Sequence, residues 1–159
     1  MGTYHNNRAQ LVPAAYHLYN EIDRRVIHET PTPCFFGDCM DLCRYFPDDW
    51  FDLITCLDTI EHLVKHEGEI LIPDLERLCN GRLIFFTPTG FYYYEEERPY
   101  QSHKYGWYPD DFKKLGYECW VLPNMHNGHG AFYAIKDRLD DIAHIEFDGH
   151  DWFRGSYWL

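Results

Sequence analysis

The order of apolar segments predicts an α/β fold with a mainly parallel sheet, helices on both faces and a C-terminal antiparallel hairpin. Three observations carry this prediction. Short apolar runs at 34–36, 51–57 and 82–87 alternate with segments of helical spacing. The run Arg82-Leu83-Ile84-Phe85-Phe86-Thr87 is almost continuously apolar, which suits a strand covered on both sides. Two more strand-like runs, 117–122 and 131–136, flank the glycine-rich connection Asn127-Gly128-His129-Gly130, which suits a hairpin.

The elements follow in order. Residues 9–29 place Leu11, Ala15, Leu18, Ile22 and Val26 at helical spacing, with Pro13 in the first turn. Thr30-Pro31-Thr32-Pro33 ends that helix. Cys34-Phe35-Phe36 reads as a buried strand turning at Gly37-Asp38. Phe51 to Leu57 is the next strand, after the turn Pro47-Asp48-Asp49. Thr59 to Val64 starts a helical turn. Glu69 to Leu78 reads as a helix with Ile70, Leu71, Leu75 and Leu78 on one side, ended by Asn80-Gly81. Pro88-Thr89-Gly90 turns the third strand into an aromatic loop, 91–108. Tyr108-Pro109-Asp110-Asp111-Phe112 opens a short helix that stops at Leu115-Gly116.

The chain of 159 residues suits a single domain. It divides into an N-terminal helical segment (1–33), a core (34–136) and an aromatic tail (137–159). The tail holds Trp152, Phe153, Tyr157 and Trp158, too aromatic for plain disorder, and is expected to pack on the domain or on a neighbouring subunit.

Lys and Arg total 14 against 26 Asp and Glu, a formal charge of −12. That balance disfavours unspecific binding to nucleic acid and to anionic membranes. No apolar run approaches the roughly 20 residues that span a bilayer. Met1 to Gln10 lacks the apolar core of a signal peptide, so a cytoplasmic location is expected. The six cysteines show no zinc-knuckle spacing and read as free thiols.

In parallel sheets, ligands bind beyond the carboxyl ends of the strands. The candidate site residues are therefore Gly37-Asp38-Cys39, Asp58-Thr59 and Thr87-Pro88-Thr89-Gly90.

These same strand ends carry a family likeness. Phe36-Gly37-Asp38, the run from Phe51 through Asp58 to Glu61-His62-Leu63, and Arg82 through Thr87-Pro88-Thr89-Gly90-Phe91 stand in order. So do Pro99-Tyr100-Gln101-Ser102-His103 with Gly106-Trp107, and Asp111-Phe112-Lys113-Lys114-Leu115-Gly116-Tyr117. Together they resemble the third to fifth strands and the following segment of class I S-adenosylmethionine-dependent methyltransferases. Thr89 replaces the usual Asn, and Arg98 and Tyr105 replace Asn and Ser. The resemblance covers about 80 residues and implies a truncated Rossmann-like sheet.

It also implies roles. Gly37, Asp38 and Cys39 would hold the adenine of S-adenosylmethionine, Asp38 through its carboxylate and Cys39 through its backbone N–H. The alternative for Asp38 is a cap on the turn. Asp58 and Thr59 would meet the methionine part, and Asp58 or His62 would be the catalytic base. The loop after the fifth strand would shape the acceptor pocket, with Thr87, Thr89, Tyr93, His103 and Trp107 as substrate-binding residues. The alternative for the aromatic loop is a protein–protein surface.

Two family features have no counterpart before Cys34. One is the glycine-rich loop after the first strand, and the other is the acidic residue that ends the second and holds the ribose. Binding of S-adenosylmethionine is thus conditional on a completed pocket, and either a homo-oligomer or a third strand that moves over to pair directly with the fourth is expected to supply it. His62 and His66, four apart, and His126 with His129 are read as solvated or hydrogen-bonded, with no metal assigned. The functional expectation is a methyltransferase for an unknown small-molecule acceptor. The alternative is a non-catalytic relative serving as an oligomeric or protein-binding module.

Overall fold

The computed structural model describes residues 19–21, 34–94 and 100–138. β1 (Tyr19–Glu21) pairs in parallel with β2 (Cys34–Phe36), with Tyr19 opposite Cys34 and Glu21 opposite Phe36. A 3₁₀ turn at Cys39–Asp41 leads into the short helix α1 (Leu42–Tyr45). A second, four-stranded sheet comprises β3 (Phe51–Leu57), β4 (Cys79–Pro88), β5 (Glu118–Leu122) and β6 (Ala131–Asp137). Its order is β3-β4-β6-β5. β3 and β4 are parallel, and the expected hairpin inserts β6 antiparallel between β4 and β5.

Helices α2 (Lys65–Leu78) and α3 (Pro109–Lys113) complete the core. Leu71, Ile72 and Leu75 of α2 meet Cys56, Leu83, Phe85, Phe132 and Ala134 of the sheet. Phe112 of α3 is fully buried, with its ring centroid 5.1 Å from Phe85 and 5.6 Å from Phe132. Leu53 and Leu57 on β3 and Trp120 on β5 are nearly half exposed.

Four expectations need correction. Residues 19–21, inside the predicted 9–29 helix, form a strand; the remainder of that segment, and residues 139–159 of the tail, lie outside the described residues. Parallel pairing sets three consecutive residues in register with β2, and helical spacing cannot reveal a pairing partner. Helix α2 begins at Lys65, not Glu69. Glu67 accepts from the Val64 backbone N–H at 3.0 Å, which closes the first turn. Gly68, a break in the pattern, is needed because a Cβ there would strike the Trp107 ring.

The core face of α2 also uses Ile72, 2% exposed, and leaves Ile70 at 40%. Finally, Asn80-Gly81 does not end the helix in a loop but belongs to β4, which starts directly after Leu78. A Cβ on Gly81 would collide with the Asp52 carbonyl, so glycine permits the close approach of β3 and β4.

Candidate active site

The carboxyl ends of β3 and β4 converge on one group of titratable side chains. β3 ends at Leu57, and Asp58 follows with φ 44°, in the left-handed region that Asp tolerates better than most residues. The Asp58 N–H still donates to Phe86 O at 2.9 Å, which holds the turn to β4. Thr59 Oγ1 donates to Leu57 O at 2.9 Å, tightening the same turn. A 3₁₀ turn at Ile60–His62 then presents Glu61 and His62.

Glu61 is 3% exposed. Its Oε2 accepts from Thr87 Oγ1 at 3.0 Å, and its carbonyl accepts the Lys104 and Tyr105 N–H groups. Burial pushes its carboxyl up to about 7, and the neighbouring Asp58 carboxylate adds to that, while its own backbone N–H and Thr87 oppose it. Burial also raises the Asp58 carboxyl, against the pull of His126, His62 and His103. Asp58 Oδ1 lies 3.7 Å from His126 Nε2. His126 has φ 47°, a second non-glycine residue in the left-handed region.

The loop after β4 folds over this group. His103 N–H donates to Tyr94 O at 2.9 Å, and His103 Nδ1 is 2.8 Å from Tyr92 O. The His62 and His103 rings meet edge to face, 4.9 Å apart, and the Tyr92 ring lies 5.6 Å from His103 and 4.6 Å from His129. Burial lowers the His103 pKa.

The predicted site residues thus divide. Asp58, His62, Thr87 and His103 come together, and Glu61, His126 and Tyr92, which carried no assigned site role in the sequence, join them. Thr87 is fully buried and positions Glu61. Thr89 lies at the rim; its N–H donates to Gly130 O, and its buried Oγ1 has no hydrogen-bond partner. Trp107 sits in the core rather than on the pocket wall: it is 3% exposed and donates Nε1–H to Ile60 O at 3.2 Å, bracing the Glu61 turn. Tyr93 projects into solvent, 71% exposed. His66 lies on α2, outside the 3₁₀ turn of His62, so the two do not share a helix face.

Gly37, Asp38 and Cys39 form a separate strand end beyond β2. Asp38 caps the 3₁₀ turn, its Oδ1 accepting from Met40 N at 2.9 Å. A Cβ on Gly37 would stand 2.9 Å from its own neighbour's ring, Phe35 Cε1, so glycine serves packing there. Burial first, and then Asp38, push the Cys39 thiol up to about 12. One further residue stands at this edge: Glu21 ends β1 in register with Phe36. The sequence offered no sign of it, because the strand signal of three polar-flanked residues is too short to register.

No protein-family model matches the sequence, and no curated protein shows significant similarity to it. The fold does match solved structures. A SAM-dependent methyltransferase from Archaeoglobus fulgidus has a TM-score of 0.59 at 13% identity, over 76% of this chain and 75% of that one. A protein from Pyrococcus horikoshii OT3 has 0.54 at 14%, over 76% and 70%. The DhpI–SAH complex has 0.52 at 16%, over 74% and 63%. The chain therefore shares the Rossmann-like fold of class I SAM-dependent methyltransferases.

Proposed function

We propose that this protein is an S-adenosylmethionine-dependent methyltransferase acting on a small nucleophilic acceptor. The observation that carries the reading is the convergence of Asp58, Glu61, His62, Thr87 and His103 beyond the carboxyl ends of two parallel strands, where such sheets bind ligands. The neighbours' own complexes with SAH support the choice of cofactor.

The described residues fit the cofactor's adenosine end. In a doubly wound sheet of order 3-2-1-4-5-6, β1 and β2 correspond to strands 2 and 3, and β3 and β4 to strands 4 and 5. On this reading Glu21, the last residue of β1, is the acid that would hold the ribose. Asp38 and the Cys39 N–H stand where the adenine edge is read; the cap on Met40 engages one oxygen of Asp38, and a carboxylate has acceptor capacity beyond one bond. The glycine-rich loop of strand 1 has no counterpart among the described residues.

The cofactor supplies an electrophilic methyl group on a sulfonium. This chain's residues orient the acceptor and hold its proton. Asp58 and His62 are the two groups placed to take that proton, and Glu61 fixes their turn through Thr87. Alignment of the acceptor supplies most of the rate.

Calorimetric titration with SAH tests this. The proposal expects saturable heat at SAH concentrations up to about 1 mM, weakened at least about tenfold in Asp38→Ala. Absence of heat from the intact chain contradicts it.

A further inference from the structure

We propose that Glu61, His62 and His103 form a binding site for a divalent first-row transition-metal ion, bordered by Asp58 and His126. The inference goes beyond the methyltransferase reading and does not depend on it. One ligand atom from each of Glu61, His62 and His103 lies within 4.8 Å of the other two. A tetrahedral ion with bonds near 2.0–2.1 Å holds its ligand atoms about 3.4 Å apart. The three groups therefore need to close by no more than about 1.5 Å, a side-chain adjustment on two loops.

Each histidine is held by a backbone carbonyl through Nδ1. His62 Nδ1 is 3.3 Å from Ser102 O, and His103 Nδ1 is 2.8 Å from Tyr92 O. Backbone carbonyls only accept, so each Nδ1 carries the proton and each Nε2 keeps its lone pair. A ring N–H held by a carbonyl is the usual support of a metal-bound imidazole. Both side chains are half-buried, so an ion can enter.

The carboxylate argues the same way. Glu61 is buried, yet among the described residues no Lys or Arg pairs with it; its side-chain hydrogen bond comes from the neutral Thr87 hydroxyl. Buried carboxylates normally have a cationic partner or a metal. Asp58 brings a second carboxylate to the same place. His126 Nε2 is buried with no hydrogen-bond partner, 3.7 Å from Asp58 Oδ1. Two imidazoles and one carboxylate form a set used for zinc and for iron(II), and three protein ligands leave a coordination position open to water or to an oxygen of a bound molecule. With an ion bound, His62 is a ligand and Asp58 remains the proton acceptor.

The test uses the full chain, stripped with a chelator and dialysed. Zinc is titrated calorimetrically, and cobalt(II) is followed by its visible absorption. The expected result is one-to-one uptake, with a cobalt spectrum of low coordination number and no thiolate charge-transfer band. His103→Ala and His62→Ala should each weaken zinc binding by at least about 100-fold, with melting curves confirming that they fold. Glu61→Gln, which keeps a partner for Thr87, should weaken it too. No uptake by the wild type, equal uptake by the folded variants, or a thiolate band overturns the site. Should the variants fail to fold, the wild-type cobalt spectrum decides by the same criterion. SAH titrated into the same samples separates the two proposals: SAH binding without metal uptake refutes only the metal site, and metal uptake without SAH binding refutes only the methyltransferase reading.

Discussion

The hydroxyl of Thr87 shows how much rests on single side chains here. It is the side-chain donor to a carboxylate buried beneath the loop that carries His103. Thr87→Val keeps the shape and removes the donor. It should cost about 1–3 kcal/mol in denaturant unfolding, while Thr87→Ser should retain most of the stability. Equal losses in both would show that the methyl, not the hydroxyl, matters. Cys39 offers a second prediction. With its thiol pushed up to about 12, thiolate is scarce at pH 8, so alkylation in the folded protein should run far slower than in the unfolded chain. Fast alkylation of Cys39 contradicts the burial described. At this scale the sequence pointed to Asp58, His62 and His103 but not to their surroundings. Glu61 gains its buried partner, and His126 and Tyr92 their place, only when loops distant in sequence fold over the strand ends. Trp107 and Tyr93, both expected at the acceptor pocket, part ways for the same reason, one buried in the core and the other exposed: aromatic type does not say which ring faces inward.

The elements of the core were legible where their apolar runs were long. β3, β4 and the β5–β6 hairpin follow from pattern and turn chemistry alone. What misled was glycine. Gly81 suggested a helix stop but lies in β4 to admit Asp52, and Gly68 likewise lies inside α2 to admit Trp107. The helix-stop reading fails because glycine marks close approach as well as turns. Gly81→Ala should therefore separate β3 from β4 and cost about 1–3 kcal/mol or more by chemical denaturation. A neutral effect would contradict the register at Asp52. Phe112→Ala empties the space between Phe85, Trp107 and Phe132 and should cost about 3–5 kcal/mol.

At the scale of the whole molecule, the strand order explains both what the sequence showed and what it hid. The strand ends after β2, β3 and β4 are readable because their polar residues follow apolar runs. β1 is not, because its three residues owe their conformation to β2. Between the two sheets, the place of strand 1 holds no strand among the described residues, and β3 has no partner there on its outer edge. With Leu53 and Leu57 nearly half exposed beside that edge, the chain should self-associate. Leu53→Lys with Leu57→Lys should lower the mass seen by light scattering, and an unchanged mass contradicts this. The central claim is that the carboxyl ends of the parallel strands bind an S-adenosyl ligand. Amide NMR shifts on adding SAH test it most directly. The account predicts perturbations concentrated at Glu21, at Gly37 to Met40 and at Asp58 to His62; shifts that are absent, or confined to the opposite ends of the strands, would contradict it.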